Sequence, residues 1–298
     1  MPAPWPEALL PRCTFPPPGT EVDCAVSGGA DSLALLVLAA AAGCRVTAVH
    51  VDHCLRPGSA AEADVVRAAA DRFGARFAAV RAPVEPGPNL EARARAARLG
   101  ALPPGALTGH TADDQAETVL LNLLRGAGLN GLAGMGPDRH PILGLRRSET
   151  AALCAALGLD PVVDPSNADP AVRRNRVRAE VLPLLADVAG RDVVPLLART
   201  AALVREDAAW LAAAAGPLDP TDARALAAAP LPLARAAVRA WLRQDGGERH
   251  PPDAAAVDRV LAVARGEARA AEVGGGRRVA RTAGRLRLAG DLTPPARR

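Results

Sequence analysis

No lysine and no tyrosine occur anywhere in the 298 residues. The missing lysine excludes a Walker A phosphate loop, which places that residue directly after its last glycine. It also makes arginine, the N-terminus or a protonated histidine the source of every positive charge. The five cysteines are Cys13, Cys24, Cys44, Cys54 and Cys154, and no two are spaced C-x-x-C, so the usual zinc and dithiol signatures are missing. An odd count without a secretion signal fits a reducing cytoplasm, and Cys24 and Cys44, in apolar surroundings, read as buried thiols. No apolar run reaches about 18 residues free of charge and proline, which excludes a membrane-spanning helix of the ordinary kind. The opening "MPAPWPEALLPRC" carries an acid and prolines where a signal peptide has a basic run followed by an apolar one. Alanine, arginine, glycine and proline fill the space left by these absences, as a high-GC coding bias produces.

What is present supports a globular chain of one large or two ordinary domains, with a hydrophobic fraction of 49% to build a core. The net charge of +4 is unevenly spread. From Arg265 onward nine arginines face three acids, +6, which leaves −2 for the rest. A basic end on a near-neutral body points to a polyanionic partner, although a solvated tail gives the same sum.

The first half alternates strand and helix patterns. Strands are predicted at 22–26, 45–51, 76–80 and 106–110, with a further short one at 141–143. Helices are predicted at about 32–42, 60–73, 90–101 and 112–125. This βαβα order implies an α/β fold with a parallel sheet covered on both faces. Ligands bind beyond the carboxyl ends of such strands, where Ser27, the segment after Val51 and the segment after His110 fall. From about residue 190 the pattern becomes alanine-rich helices over 193–265, closed by a turn and small β-hairpin at 273–290. A smaller, mainly helical second domain is therefore expected over 190–298.

Five stretches carry chemistry. "AVSGGADS" (25–32) joins a strand to a helix, and its glycines let backbone N–H groups approach an anion at the helix N-terminus. It serves equally as a tight turn capped by Ser27 or Asp31. "HVDHCLRPGS" (50–59) puts Asp52 and His53 just past the second strand, or Ser59 at a helix N-cap. "LEARARAAR" (90–98) spaces Glu91, Arg95 and Arg98 on one helix face, as a solvated, salt-bridged helix also does. In "TGHTADDQAETVLLNLLRGAG" (108–128), Thr111 and Asp114 form a capping-box variant. Glu117, three residues on, shares a face with Asp114, and two such acids clamp a small cation such as an ammonium. Arg125 ends this helix, available for a phosphate. Finally, "DPSN" (164–167) and "RRNRVR" (173–178) put four arginines into six positions, a phosphate-contact candidate or a solvated basic helix start.

The Ser-Gly-Gly-x-Asp-Ser string resembles the PP-loop of ATP pyrophosphatases, which cleave ATP between its α- and β-phosphates. With the other stretches in this order, it resembles one family of that superfamily, the bacterial tRNA(Ile)-lysidine synthetases, over about residues 21–186. The resemblance implies a PP-loop, adenine nucleotide α-hydrolase-like and Rossmann-like ATP-binding catalytic domain over 1–189 and a tRNA-binding C-terminal domain over 190–298, as in the short form of the family. It implies a cytoplasmic ligase that uses ATP and Mg²⁺ and takes free L-lysine and the CAU-anticodon isoleucine tRNA, with no membrane partner. The 2-oxygen of the wobble cytidine is adenylated, and the lysine ε-amine then displaces AMP, converting AUG to AUA decoding. In residue terms it implies ATP binding by Ser27, Gly28, Gly29, Ala30, Asp31, Ser32 and Arg125, with Asp31 near Mg²⁺. It implies catalytic roles for Asp31, Arg98 and His110, lysine binding by Asp114 and Glu117, and tRNA binding by Arg174 and Arg178. Cys54, Leu99 and His140 depart from the family pattern, which has glycine, tyrosine and arginine there; His140 puts a phosphate role at that position in doubt. The rivals are a tRNA 2-thiocytidine synthase, a glutamine-dependent amidotransferase and an ATP-binding regulator. They would require, respectively, a C-x-x-C pair, a glutaminase part, and no need of the paired acids or arginine cluster.

Overall fold

The computed structural model describes residues 6–52, 59–84, 87, 93, 96–97, 100–163, 169–244 and 252–290. The chain forms two compact units, residues 1–205 and 206–298. The composition shift near residue 190 precedes this division, which falls inside one long helix.

In the first unit, β1 (Glu21–Ala25), β2 (Arg45–Asp52), β3 (Arg76–Arg81) and β4 (Leu107–Thr108) make a parallel sheet in the order β3-β2-β1-β4. Its helices are α1 (Pro6–Leu9), α2 (Ala30–Ala41), α3 (Ser59–Arg72), α4 (Ala112–Leu124), α5 (Leu129–Leu132), α6 (Arg147–Ala156), α7 (Arg173–Arg176) and α8 (Leu182–Ala189), and α9 (Val194–Ala215) carries the division between units. Cys24 pairs in register with Ala48 on one side and Leu107 on the other, and all three are buried. Strands covered on both faces need near-continuous apolar runs, which "VTAVHV" supplies. Eight successive residues of α2, Ser32 to Ala39, are buried. A helix apolar on every side has no face to offer water, and α2 lies in the main core with Leu145 and Leu153.

The sheet order reverses at β1. The chain steps outward from β1 through β2 to β3, then returns to place β4 on the other side of β1. A crevice opens at such a switch point, beyond the carboxyl ends of the two central strands. The segments leaving β1 and β4 both begin there.

Two sequence expectations change. Residues 141–143 are not a strand but a run of turns. Pro141 has no N–H to give a ladder; its carbonyl instead accepts from Thr14 N–H, and Ile142 and Leu145 are buried without any strand pairing. The C-terminal hairpin acquires a third strand. In the second unit, α10 (Ala223–Ala228), α11 (Leu231–Gln244) and α12 (Ala254–Arg265) precede β5 (Ala270–Glu272), β6 (Arg278–Thr282) and β7 (Arg285–Ala289), an antiparallel sheet in the order β5-β6-β7. Val279 and Leu286 on its inner face pack with Val257, Val260 and Leu261 of α12. The helix expected at 90–101 lies largely outside the described residues. Among the described residues, no helix is long and apolar enough to cross a membrane.

Candidate active site

The loop between β1 and α2 is built from small residues because the chain must turn sharply and leave its amides facing outward. Gly28 has φ +89°, and a Cβ there would press on Val162 at 3.1 Å. Its carbonyl accepts from Val162 N–H at 3.0 Å. Ser32 ties the turn: its hydroxyl donates to Gly29 O at 2.8 Å and accepts from Ser27 N–H at 3.1 Å. Among the described residues, the N–H groups of Gly28, Gly29, Ala30 and Asp31 have no acceptor. Four such donors at the N-terminus of a 12-residue helix form an anion cradle. The segment leaving β4 fits against it so closely that a Cβ on Gly109 would stand 2.6 Å from Asp31 O.

Beyond β4 stands a pair of histidines. His110 Nδ1 lies 2.7 Å from the Thr108 hydroxyl, which also lies 2.5 Å from His140 Nδ1. The two rings meet edge-on with centroids 4.7 Å apart. His140 thus takes part in holding His110.

The first turn of α4 supplies the acids. Thr111 N–H and hydroxyl both donate to Asp114 Oδ2, at 2.9 and 3.0 Å. The capping box is therefore real, and it leaves Asp114 Oδ1 free to accept from Arg147 and Arg174 at 3.0 and 3.1 Å. Glu117 has no solvent exposure. Arg174 Nε donates to its Oε2 at 2.6 Å, and Arg178 makes a fork to both oxygens at 2.7 and 3.2 Å. Arg147 adds two longer contacts of 3.4 Å to Oε1. The Arg147 Nε also lies 3.5 Å from Asp31 Oδ2, and the Thr150 hydroxyl donates to Asp31 Oδ1. Three carboxylates, of Asp31, Asp114 and Glu117, thus face three guanidiniums.

Environment separates Asp31 from Asp114 and Asp113. Burial raises the Asp31 carboxyl above its ordinary range, against the opposing help of Thr150 and Arg147. Asp114 is buried too, but Arg147, Arg174 and the Thr111 N–H outweigh that burial and hold it below the ordinary range. Asp113 is lowered in the same way: burial is overcome by Arg146 and by the backbone N–H of Arg147. A cleft of about 220 Å³ opens beside the cluster, with Glu117, Arg147, Arg178, Leu182, Val193 and Val194 in its wall. Among the described residues no group of three or more His, Cys, Asp or Glu could hold a metal ion. Asp31 at the mouth of the cradle does fit an ion that keeps one carboxylate and takes its remaining oxygens from phosphate and water.

The fold therefore gathers Ser27 to Ser32, His110, Asp114 and Glu117 around one crevice. Arg174 and Arg178 join them, turned inward onto the acids rather than outward. The "RRNRVR" stretch divides by helical face: Arg174 and Arg178 are half-buried, whereas Arg173 and Arg176 are exposed, and Arg176 pairs with Glu180 at 2.8 Å. Arg125 is not brought to the cradle. It caps the far end of α4, exposed, roughly 16 Å along the helix from Asp114 at 1.5 Å per residue. Arg98 and Arg95, with His53, Cys54, Leu99 and the "DPSN" stretch, lie outside the described residues. Arg147 and Thr150 were missed in the sequence. The available signal was "LRRSE" (145–149): two arginines at a helix start, where the dipole disfavours cations, must have carboxylates waiting for them.

A PP-loop domain model matches residues 13–185. A tRNA(Ile)-lysidine synthase of Nocardia farcinica is 46% identical over 95% of this chain and 96% of its own length. One from Salinispora tropica is 45% identical over 91% of each chain, and one from Rhodococcus opacus is 44% identical over 87% of this chain and 85% of its own. An anion cradle at the switch point and an acid pair beside it accompany this likeness over nearly the whole length, and the chain belongs to the tRNA(Ile)-lysidine synthase family.

Proposed function

We propose that this chain ligates free L-lysine to C2 of the wobble cytidine of the CAU-anticodon isoleucine tRNA. The observation that carries the reading is the pair Asp114 and Glu117, set against the phosphate cradle and joined to it by one arginine. The amides and hydroxyls of Ser27 to Ser32 hold the pyrophosphate part of ATP. Asp31 would hold Mg²⁺, and the ion would supply charge neutralisation there. The cytidine 2-oxygen attacks the α-phosphorus, and pyrophosphate leaves. Asp114 and Glu117 bind the substrate amine as its ammonium; after the ammonium loses a proton to water, the free amine attacks C2, and AMP leaves with the oxygen. His110, oriented by Thr108, and Arg98 act on the charge that develops during adenylation. Arg125 and the exposed arginines take RNA phosphates, with Arg174 and Arg178 bracing the acids, and the C-terminal part over 190–298 binds the tRNA. The reaction takes place in the cytoplasm.

The test incubates the protein with ATP, Mg²⁺, radiolabelled lysine and a CAU-anticodon isoleucine tRNA transcript. The initiator methionine tRNA, which shares the anticodon, is the control. ATP-dependent label on the first RNA alone is expected. No label from a folded protein that binds ATP would overturn the reading.

A further inference from the structure

Glu117 forms part of the cleft wall yet has no exposure of its own, because three guanidiniums cover its carboxylate. An ammonium that is to reach it must displace one of them. Arg174 and Arg178 are poor candidates: their contacts are 2.6 and 2.7 Å, and Arg178 grips both oxygens. Forked, charge-assisted bonds of this kind are the strong ones. Arg147 is the weak member, with no contact to Glu117 shorter than 3.4 Å. Arg174 and Arg178 have only Asp114 as a second carboxylate, inside the acid pair, whereas Arg147 also reaches one outside it. Its Nε already lies 3.5 Å from Asp31, in the phosphate cradle.

We propose that Arg147 is an exchangeable cation that occupies the amine site in the free protein and is handed to the nucleotide site when lysine enters, so that lysine and ATP bind cooperatively. The inference rests on the reading that Asp114 and Glu117 hold lysine. The pairing of charges favours such an exchange. Asp31, Asp114 and Glu117 already face three guanidiniums, and beside them Arg146 pairs with Asp113 and Asp192, so an incoming ammonium meets no carboxylate without a cation on it unless one guanidinium finds new negative charge. A polyphosphate in the cradle offers that charge. The same side chain then neutralises phosphate while the vacated oxygens of Asp114 and Glu117 receive the ammonium. The apolar wall of Leu182, Val193 and Val194 suits the aliphatic chain behind that ammonium. By linkage the effect is reciprocal: each ligand tightens the other by the same factor.

The experiment measures binding of a non-hydrolysable ATP analogue with Mg²⁺ by calorimetry, with and without saturating lysine and without tRNA. In the wild-type chain, lysine is expected to tighten the analogue by about fivefold or more, the low end of usual coupling. In Arg147→Met the factor is expected to fall to about one, and lysine binding to the analogue-free protein to strengthen, because its competitor is gone. Arg147→Lys keeps a charge but cannot touch three carboxylates at once. Should Arg147→Met fail to fold, Arg147→Lys carries the test, and it should lose most of the coupling. Wild-type coupling in either folded variant, or no coupling in the wild-type chain, overturns the proposal. Glu117→Gln separates the two readings. Loss of lysine binding there, with coupling unaltered in the Arg147 variants, removes the exchange and leaves the lysine site standing. Undiminished lysine binding in Glu117→Gln removes both.

Discussion

The arginines of the first unit and those of the C-terminal sheet have the same chemistry and opposite surroundings. Arg147, Arg174 and Arg178 turn inward onto two buried acids and Asp31. On the sheet, Arg278 and Arg287 lie on the outer face, because their neighbours Val279 and Leu286 take the inner one. Cross-strand pairing puts Arg287 opposite Ala280 and Arg278 opposite Ala289, so no carboxylate faces either across the β6-β7 pair; Glu272, opposite Arg278 on β5, is the one acid in register with them. The first set is a charge-balanced cluster that orders carboxylates. The second is an exposed cationic face suited to a polyanion. In a chain without lysine, the partner rather than the residue type decides what each cation does.

The comparison breaks most visibly at Glu117. Glu117→Ala leaves three guanidiniums facing a void, and removing one partner from a buried ion cluster costs about 3–5 kcal/mol. Urea unfolding followed by far-UV circular dichroism should show that loss in the first unit, together with loss of lysine transfer; a change under 1 kcal/mol would mean that water already solvates the cluster. Arg278→Ala with Arg287→Ala should do the reverse. The unfolding midpoint should not move, RNA affinity should drop on the order of tenfold, and the slope of log affinity against log salt should flatten by about 1 per arginine. Filter binding at several salt concentrations reads both.

A smaller effect concerns pH, and its sign differs within the cluster. Asp113 and Asp114 are held below the ordinary value of 3.8. Their contribution is complete above about pH 4, and it is lost as pH falls through the lowered folded values, because the unfolded chain binds protons there first. Asp31 is held above 3.8, so its ionised form costs stability at neutral pH and its protonation relieves that cost. Asp114→Asn should therefore lower the urea midpoint at pH 7 and flatten its acid dependence, whereas Asp31→Asn should leave the midpoint equal or higher at pH 7. Equal losses in both variants would contradict this assignment. Least of all is expected from Arg176→Ala. Its pair with Glu180 is fully exposed, such pairs contribute little, and a thermal melt should not move.

Much of this was legible in the sequence because it rests on local rules. Strand-helix alternation, the glycines and serine of "SGGADS", and Thr111 with Asp114 follow from backbone freedom, dipoles and capping. The acids at 114 and 117 share a face because a helix repeats every 3.6 residues. Other features were not local. "PIL" has the composition of a strand, but buries Ile142 in a turn. Ala270 to Glu272 reads as weak strand sequence and pairs only because β6 offers it an edge. Four arginines in six residues look alike until their faces are known.

By itself the sequence determined the parallel α/β architecture, the anion cradle with no lysine to aid it, and the acid pair. Each of these depends on residues within one or two turns of one another. Only the tertiary structure decided that Arg147, 30 residues beyond Glu117 and 116 beyond Asp31 in the chain, would touch both, that His140 would meet His110, and that Arg174 and Arg178 would face inward. A charge is drawn to whatever opposite charge the fold brings within a few ångströms, and separation along the chain carries no information about that distance.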